Sequence, residues 1–221
     1  MFEYLMPALW MRSLPDTIMN ETLLAAVRCQ QAYARKNGIP WGISEAAFSE
    51  RNLEGIYAYR AFGVPSLALD PHAAENLVVC PYASFLALLV DGEAPYRNLD
   101  VMSKMGCLGS LGFYEACDFT PRQKPENGDF ELIRCWMAHH QGMSLMALSN
   151  FLNKGAIQKW FHREPRVMAA ELFLHEKAAL SIAVKNDSPR TSDPRNSVRR
   201  LLRLKPRSAI RQLAGSRSAL L

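Results

Sequence analysis

Residues 131–153 read ELIRCWMAHHQGMSLMALSNFLN, and the period of their apolar positions decides the fold class. Ile133, Trp136, Met137, His140, Met143, Ser144, Ala147, Leu148 and Phe151 recur at intervals of three and four, which puts them on one broad face of an amphipathic helix. Gly155 ends the run. Downstream, Ile157–His162 and Pro165–Leu180 read as two further helical pieces. Upstream, PYASFLALLV (81–90) opens on Pro81, a favoured first helical residue, and Ala94–Met105 reads as its partner, ended by Gly106. Nearest the start, Asp16 is a good N-cap for Ile18, Met19, Thr22, Leu23, Ala26, Val27, Gln30 and Tyr33, with Gly38 and Pro40 as the stop.

The segments between carry no alternation that would build a sheet. NLVVCPY (76–82) has the composition of a short strand that Pro81 cuts off, and the stretch holding Gly42, Gly55, Gly63 and Pro65 reads as loop. No repeat of about 20 to 50 residues is visible. The sequence therefore predicts an all-α domain of antiparallel helical hairpins.

With 221 residues, 49% of them apolar, the chain has enough material for a sizeable core. Its formal charge of +5 is unevenly spread: residues 181–221 hold ten of the 26 basic and two of the 21 acidic residues. Residues 1–180 are thus mildly acidic, which speaks against nucleic acid as the partner of the body. The Arg, Ser and Pro-rich segment 181–221 reads as a disordered tail, or as a basic segment that touches lipid headgroups or nucleic acid. Cys29, Cys80, Cys107, Cys117 and Cys135 are odd in number and form no CxxC pair, so five buried free thiols in a reducing compartment are expected. Glu3 and Pro7 interrupt the early apolar run, and no stretch reaches the roughly 18 apolar residues of a membrane span, so the chain reads as soluble.

Three loop-like segments each set an acid among aromatics: MFEYLMP with Glu3, PWGISEAAF with Glu45, and LGFYEACDF with Glu115. Sugar-handling sites use this mixture, because aromatic faces pack on the C–H faces of pyranose rings while carboxylates bind hydroxyls or move protons. Glycoside chemistry needs two carboxylates flanking the scissile bond. Each acid also has a plainer reading. Glu45 fits a helical first turn capped by Ser44, Asp118 is either a working acid or an N-cap, and Glu3 fits a polar residue at a frayed end.

His139 and His140 in HHQ invite a metal. Adjacent helical residues point about 100° apart and no carboxylate lies nearby in sequence, so no metal and no cofactor is expected. Trp136, Met143 and Met146 read as core. GCLGSLG (106–112) matches neither GxGxxG nor a P-loop and follows no strand, which excludes a nucleotide site.

Six ordered motifs, MFEYLMP, GIPWGISEAAF, YAYRAFGVPSLALD, LVVCPYASFLALLVD, LGFYEACDFTP and MAHHQGMSLMAL, carry a resemblance. Over about Met1–Lys177 the chain resembles the glycoamylase-like region of cyclic β-1,2-glucan synthases, large bacterial membrane enzymes. The resemblance implies a partial (α/α)6 toroid over residues 1–180, incomplete at its N-terminus, and a substrate of linear β-1,2-glucan. The implied reaction is cleavage and rejoining of the chain to itself with retention; related proteins hydrolyse the glucan, and a non-catalytic glucan-binding remnant is the other alternative.

On this sequence, the implied catalytic pair is Glu45 and Glu115, with Glu3 in reserve. Trp41, Tyr82, Phe113, Tyr114, Asp118, His139, His140 and Gln141 are the implied substrate-binding residues. The implied partners are the parent enzyme's glycosyltransferase and phosphorylase-like domains, and the implied location is the cytoplasm or the cytoplasmic face of the bacterial inner membrane. Where the family usually reads SESAY this chain has SEAAF, which removes hydroxyls at Ala46 and Phe48. The basic tail also departs from the family pattern, as a truncated or frameshifted product would.

Overall fold

A computed structural model describes residues 1–68, 76–120 and 129–177. The segment 181–221, expected as a separate basic tail, lies outside the described residues. Helices α1 (Phe2–Leu5), α2 (Ile18–Asn37), α3 (Pro81–Ala87), α4 (Glu93–Met102), α5 (Ala138–Leu152), α6 (Ala156–Phe161) and α7 (Pro165–Ala170) dominate. Strands β1 (Ala46–Arg51), β2 (Tyr57–Arg60), β3 (Val78–Val79), β4 (Leu108–Gly109), β5 (Gly112–Phe113), β6 (Ala116–Asp118) and β7 (Glu131–Ile133) form three small antiparallel sheets. The expectation of an all-α chain is corrected accordingly: the domain is mostly helical, with strands where the sequence suggested loops.

The long helix expected over 131–153 starts only at Ala138. Glu131, Leu132 and Ile133 instead pair with Asp118, Cys117 and Ala116, and Met137 is still extended before the first helical residue. Ile133 and its neighbours have only one turn of helical period, too little to outweigh a sheet partner for a β-branched residue. Inside α5 the reading was sound: His140, Met143, Ser144 and Ala147 are buried. Trp136, read as core, lies before the helix and is 41% exposed.

Helix α2 begins one residue later than expected. Thr17 is its N-cap, its hydroxyl accepting from Asn20 N at 3.3 Å, while Asp16 turns through a positive φ of 61°. Gly38 closes the helix in the left-handed conformation, with Ile39 N–H returning to Ala34 O. Ser44 caps no helix at Glu45, which leads into β1; its Oγ instead accepts from Phe2 N, the first N–H of α1, at 3.0 Å.

Helix α3 packs against α4 and α5, and α1 against α2 and α3. Their shared core runs through Leu5, Leu9, Val27, Ile43, Phe48, Val79, Leu86, Met102 and Ile133, all nearly or fully buried. The five cysteines are not all free. Cys107 and Cys117 are joined as a disulfide, leaving Cys29, Cys80 and Cys135. Among the described residues no helix is long and apolar enough to cross a membrane.

Candidate active site

Residues 41–45 connect α2 to β1, and side-chain amides hold them. Gln30 on α2 reads both polar groups of one buried residue: its Nε2 donates to Ile43 O at 2.8 Å, and Ile43 N donates to its Oε1 at 3.0 Å. Asn98 on α4 does the same for Trp41, accepting from its N–H at 3.2 Å and donating to its carbonyl at 2.7 Å. Gly42 sits between with φ 123°, and a Cβ there would meet Cys80 O at 3.1 Å, so glycine is required by backbone and space together. Tyr82 on α3 completes the frame, its hydroxyl 2.8 Å from Ser44 Oγ and 3.0 Å from Glu45 O. The loop thus delivers a half-buried Glu45 from an otherwise buried segment.

Glu115 immediately precedes β6 as Glu45 immediately precedes β1. Its side chain is only 1% exposed, and its Oε1 accepts from Ala47 N at 3.3 Å and from His140 Nδ1 at 2.8 Å. Donation from Nδ1 fixes the His140 tautomer and turns the Nε2 lone pair toward the cleft. The ring is held flat against Tyr82, centroids 3.8 Å apart at 12°. At its far side stands Tyr59, whose hydroxyl lies 3.3 Å from His140 Nε2, 3.2 Å from His139 Nε2 and 2.9 Å from Glu45 Oε1. One connected path therefore runs Glu45, Tyr59, His140, Glu115.

Electrostatics follow from burial and these two acids. The Tyr59 phenol is pushed well above its usual value, by burial first and then by its hydrogen bond to Glu45. Tyr82 and Cys80 are also raised, chiefly by burial. His139 is lowered, by burial and then by the neighbouring His140. Tyr59 therefore stays a neutral phenol through ordinary pH.

Beside this path lies a cavity of about 140 Å³ lined by Tyr82, Phe85, Phe113, Tyr114, His140 and Gln141, among others. Gln141 Nε2 donates to Phe113 O at 3.3 Å. Tyr114 is tilted against Trp136, centroids 5.2 Å apart, and Gly109 makes room for it: a Cβ there would lie 2.7 Å from the Tyr114 ring.

The structure brings Glu45, Glu115, Tyr82, His139 and His140 to one place, with Phe113, Tyr114 and Gln141 along the adjoining cavity. Trp41 is buried in the core. Asp118 is also buried and accepts from Ser49 N, Ser49 Oγ and Thr120 N, at 3.1, 2.7 and 2.9 Å. Glu3 is exposed on α1, its carboxylate 3.9 Å from the N-terminal nitrogen. Sequence reasoning missed Tyr59, which lies within the quoted YAYR motif but has no acid beside it, and Trp136, whose aromatic neighbour Tyr114 comes from another segment.

The argument against two histidines facing one point is corrected by the geometry. His139 and His140 lie in the first turn of α5, and side chains tilt toward a helix N-terminus. Their rings are 4.0 Å apart, and one donor atom each from Glu45, His139 and His140 lie within 4.8 Å of one another.

Fold and site together define a mostly helical domain whose strand-bearing loops gather acids and aromatics at one cleft. Its sequence matches the Glycoamylase family, described as "Putative glucoamylase", over residues 1–165. It is 44% identical over 184 residues to the cyclic beta-(1,2)-glucan synthase NdvB of Rhizobium meliloti (strain 1021), an alignment covering 83% of this chain and 6% of that protein. The chain belongs to the Glycoamylase family. A solved "putative glucoamylase" from Bacteroides fragilis NCTC 9343 shares the fold, with a TM-score of 0.52 at 19% identity over 78% of this chain and 39% of that one. An endo-beta-1,2-glucanase from Chitinophaga pinensis aligns over 71% of this chain and 34% of that one, at 20% identity and a TM-score of 0.46.

Proposed function

We propose that this chain is a β-1,2-glucan-acting domain that cleaves and rejoins glucosidic bonds in the synthesis of cyclic glucan. The observation that carries the reading is the run of polar contacts from Glu45 through Tyr59 and His140 to Glu115, set against an aromatic-lined cavity. Glu45 works directly on the linkage, since its carboxylate reaches the cleft. Glu115, behind His140, senses the same reaction through the imidazole, and Phe113 and Tyr114 supply faces for glucose rings.

In this reading residues 1–180 are part of an (α/α)6 toroid, residues 181–221 are a separate basic tail, and the protein acts beside glycosyltransferase and phosphorylase-like domains at the cytoplasmic face of the inner membrane. The small share of the Rhizobium relative that the chain spans supports a larger context. So do Leu172 and Phe173, 79% and 81% exposed, which are apolar groups that neighbouring helices would cover.

The test is incubation of purified protein with linear β-1,2-glucan, resolving cyclic from shortened linear products, with Glu45→Gln and Glu115→Gln beside the wild type. Cyclic products lost in both variants are expected. Linear products alone would replace cyclization by hydrolysis. A second reading, glucan binding without turnover, is favoured by the burial of Glu115, because a catalytic carboxyl must reach the reacting atoms. It requires glucan affinity that survives both substitutions while wild-type protein yields no product.

A further inference from the structure

Tyr59 has one proton and three partners that want it or crowd it. The Glu45 carboxylate accepts. In the neutral tautomer whose Nδ1 donates to Glu115, His140 turns a bare Nε2 toward the phenol, and His139 turns its own Nε2 to the same oxygen. A phenol that donates to Glu45 then leaves the His140 lone pair facing its own oxygen. With His139 in the tautomer that is bare at Nε2, lone pairs and a carboxylate converge on one point, surroundings that a cation satisfies.

The distances suit a particular class of cation. Zinc-class ions bind His nitrogen and carboxylate oxygen at about 2.0–2.2 Å in a tetrahedron, which sets donor–donor edges of about 3.3–3.6 Å. The Tyr59 oxygen stands 2.9, 3.2 and 3.3 Å from Glu45 Oε1, His139 Nε2 and His140 Nε2. It stands where a fourth ligand would approach, and one donor atom from each of the other three residues lies within 4.8 Å of the others. Two His and one Glu with a replaceable fourth ligand is a donor set that favours zinc over magnesium or calcium, which take oxygen ligands.

The surroundings are also those of a ligand imidazole. A metal-bound His characteristically donates its other ring N–H to a carboxylate, which orients it and raises its basicity. His140 does this with Glu115 at 2.8 Å, both side chains being 1% exposed, and Tyr82 stacks on the ring to hold its plane.

We propose that Glu45, His139 and His140 bind a divalent cation of the zinc class, with Glu115 as the outer partner of His140. Binding does not depend on the glucan reading. One consequence does rest on it: the ion occupies the Glu45 carboxylate, so zinc inhibits glucan turnover in competition with substrate.

The experiment uses the full chain without a histidine tag, treated with chelator and then freed of it. Co²⁺ is titrated as a spectroscopic probe, and Zn²⁺ is titrated by calorimetry. A tetrahedral visible Co²⁺ spectrum saturating at one equivalent is expected. His139→Ala and Glu45→Gln should each weaken binding at least about tenfold, and Glu115→Gln by about 10–100-fold. His175→Ala, an exposed histidine outside the cluster, should leave it unchanged. His139 is itself exposed, so its substitution tests ligation without threatening the core.

Absence of the spectrum, or affinity unmoved by His139→Ala and Glu45→Gln, overturns the proposal and leaves an adventitious ion only. Glucan turnover measured in chelator separates the two readings. Turnover without metal binding removes the metal site alone; metal binding without turnover, at any zinc concentration, removes the glucan reading alone.

Discussion

Replacing Gln30 by Leu removes the clamp on the loop that carries Glu45 while nearly preserving volume. Gln30 is fully buried, and its amide satisfies the N–H and the C=O of Ile43, which is itself fully buried. With leucine present, both backbone groups are left in an apolar interior. Each orphaned group costs about 1–3 kcal/mol, so the variant should lose about 2–6 kcal/mol. Urea slopes are about 1–3 kcal/mol per molar, so the unfolding midpoint should fall by roughly 0.7 M or more. The assay is urea denaturation followed by tryptophan fluorescence, with glucan turnover measured below the transition. Turnover should fall as well, because Ile43 is two residues from Glu45. A midpoint shift under about 0.3 M would refute the clamp, and a full stability loss with unchanged turnover would refute its role in placing Glu45.

Gly109→Ala puts a methyl 2.7 Å from the Tyr114 ring; it should cost about 1–3 kcal/mol and weaken glucan affinity by turning Tyr114 off Trp136, checked by thermal unfolding and by titration of glucan against tryptophan fluorescence. The alkaline limb of stability has a fixed sign: Cys80 and Tyr82 are raised by burial, and Cys135 by burial and then Glu115 to about 11. At pH above about 9 the unfolded chain therefore gives up protons that the folded chain keeps, and stability falls as pH rises. Urea midpoints at pH 8 and pH 10 check this; a higher midpoint at pH 10 would contradict it.

The helices were legible because four or five turns of repeated period leave little ambiguity, as in α2 and the Ala138–Leu152 part of α5. The sheets were not. Strands of two or three residues, such as Val78–Val79, Leu108–Gly109 and Glu131–Ile133, are too short to show alternation, and the first and last exist only because β6, from another part of the chain, meets them. The acids stood out through their aromatic neighbours, yet nothing local shows that Glu115 sits behind His140 or that Tyr59 links His140 to Glu45. Those contacts bridge residues 25 and 81 positions apart, and only the tertiary fold brings His140 on α5 beside Glu115 and Tyr59.

The two acids are placed by one device, and Asp118 is the residue that tests it. Along β6 and the residue before it, Glu115 accepts from Ala47 N and Asp118 from Ser49 N and Oγ, so carboxylates serve N–H groups of β1 where a neighbouring strand's carbonyls would otherwise stand. The edge of β1 is thereby fixed against β6, and Glu45, at the start of β1, is fixed with it. Asp118→Asn keeps the shape but supplies one oxygen for a site that uses two: Oδ2 faces Ser49 and Oδ1 faces Thr120 N. Whichever way the amide turns, an NH2 meets a half-buried N–H, at a cost of about 1 kcal/mol. If Asp118 acts by holding β1, the variant loses that stability, and its folded fraction shows a lower kcat with KM for glucan unchanged, because Glu45 is displaced while the aromatic cavity is not. If Asp118 instead binds substrate, stability moves by less than about 0.5 kcal/mol and KM rises while kcat holds. Steady-state kinetics on linear β-1,2-glucan beside a urea titration separate the two, and the second pattern would refute the coupling of β6 to Glu45.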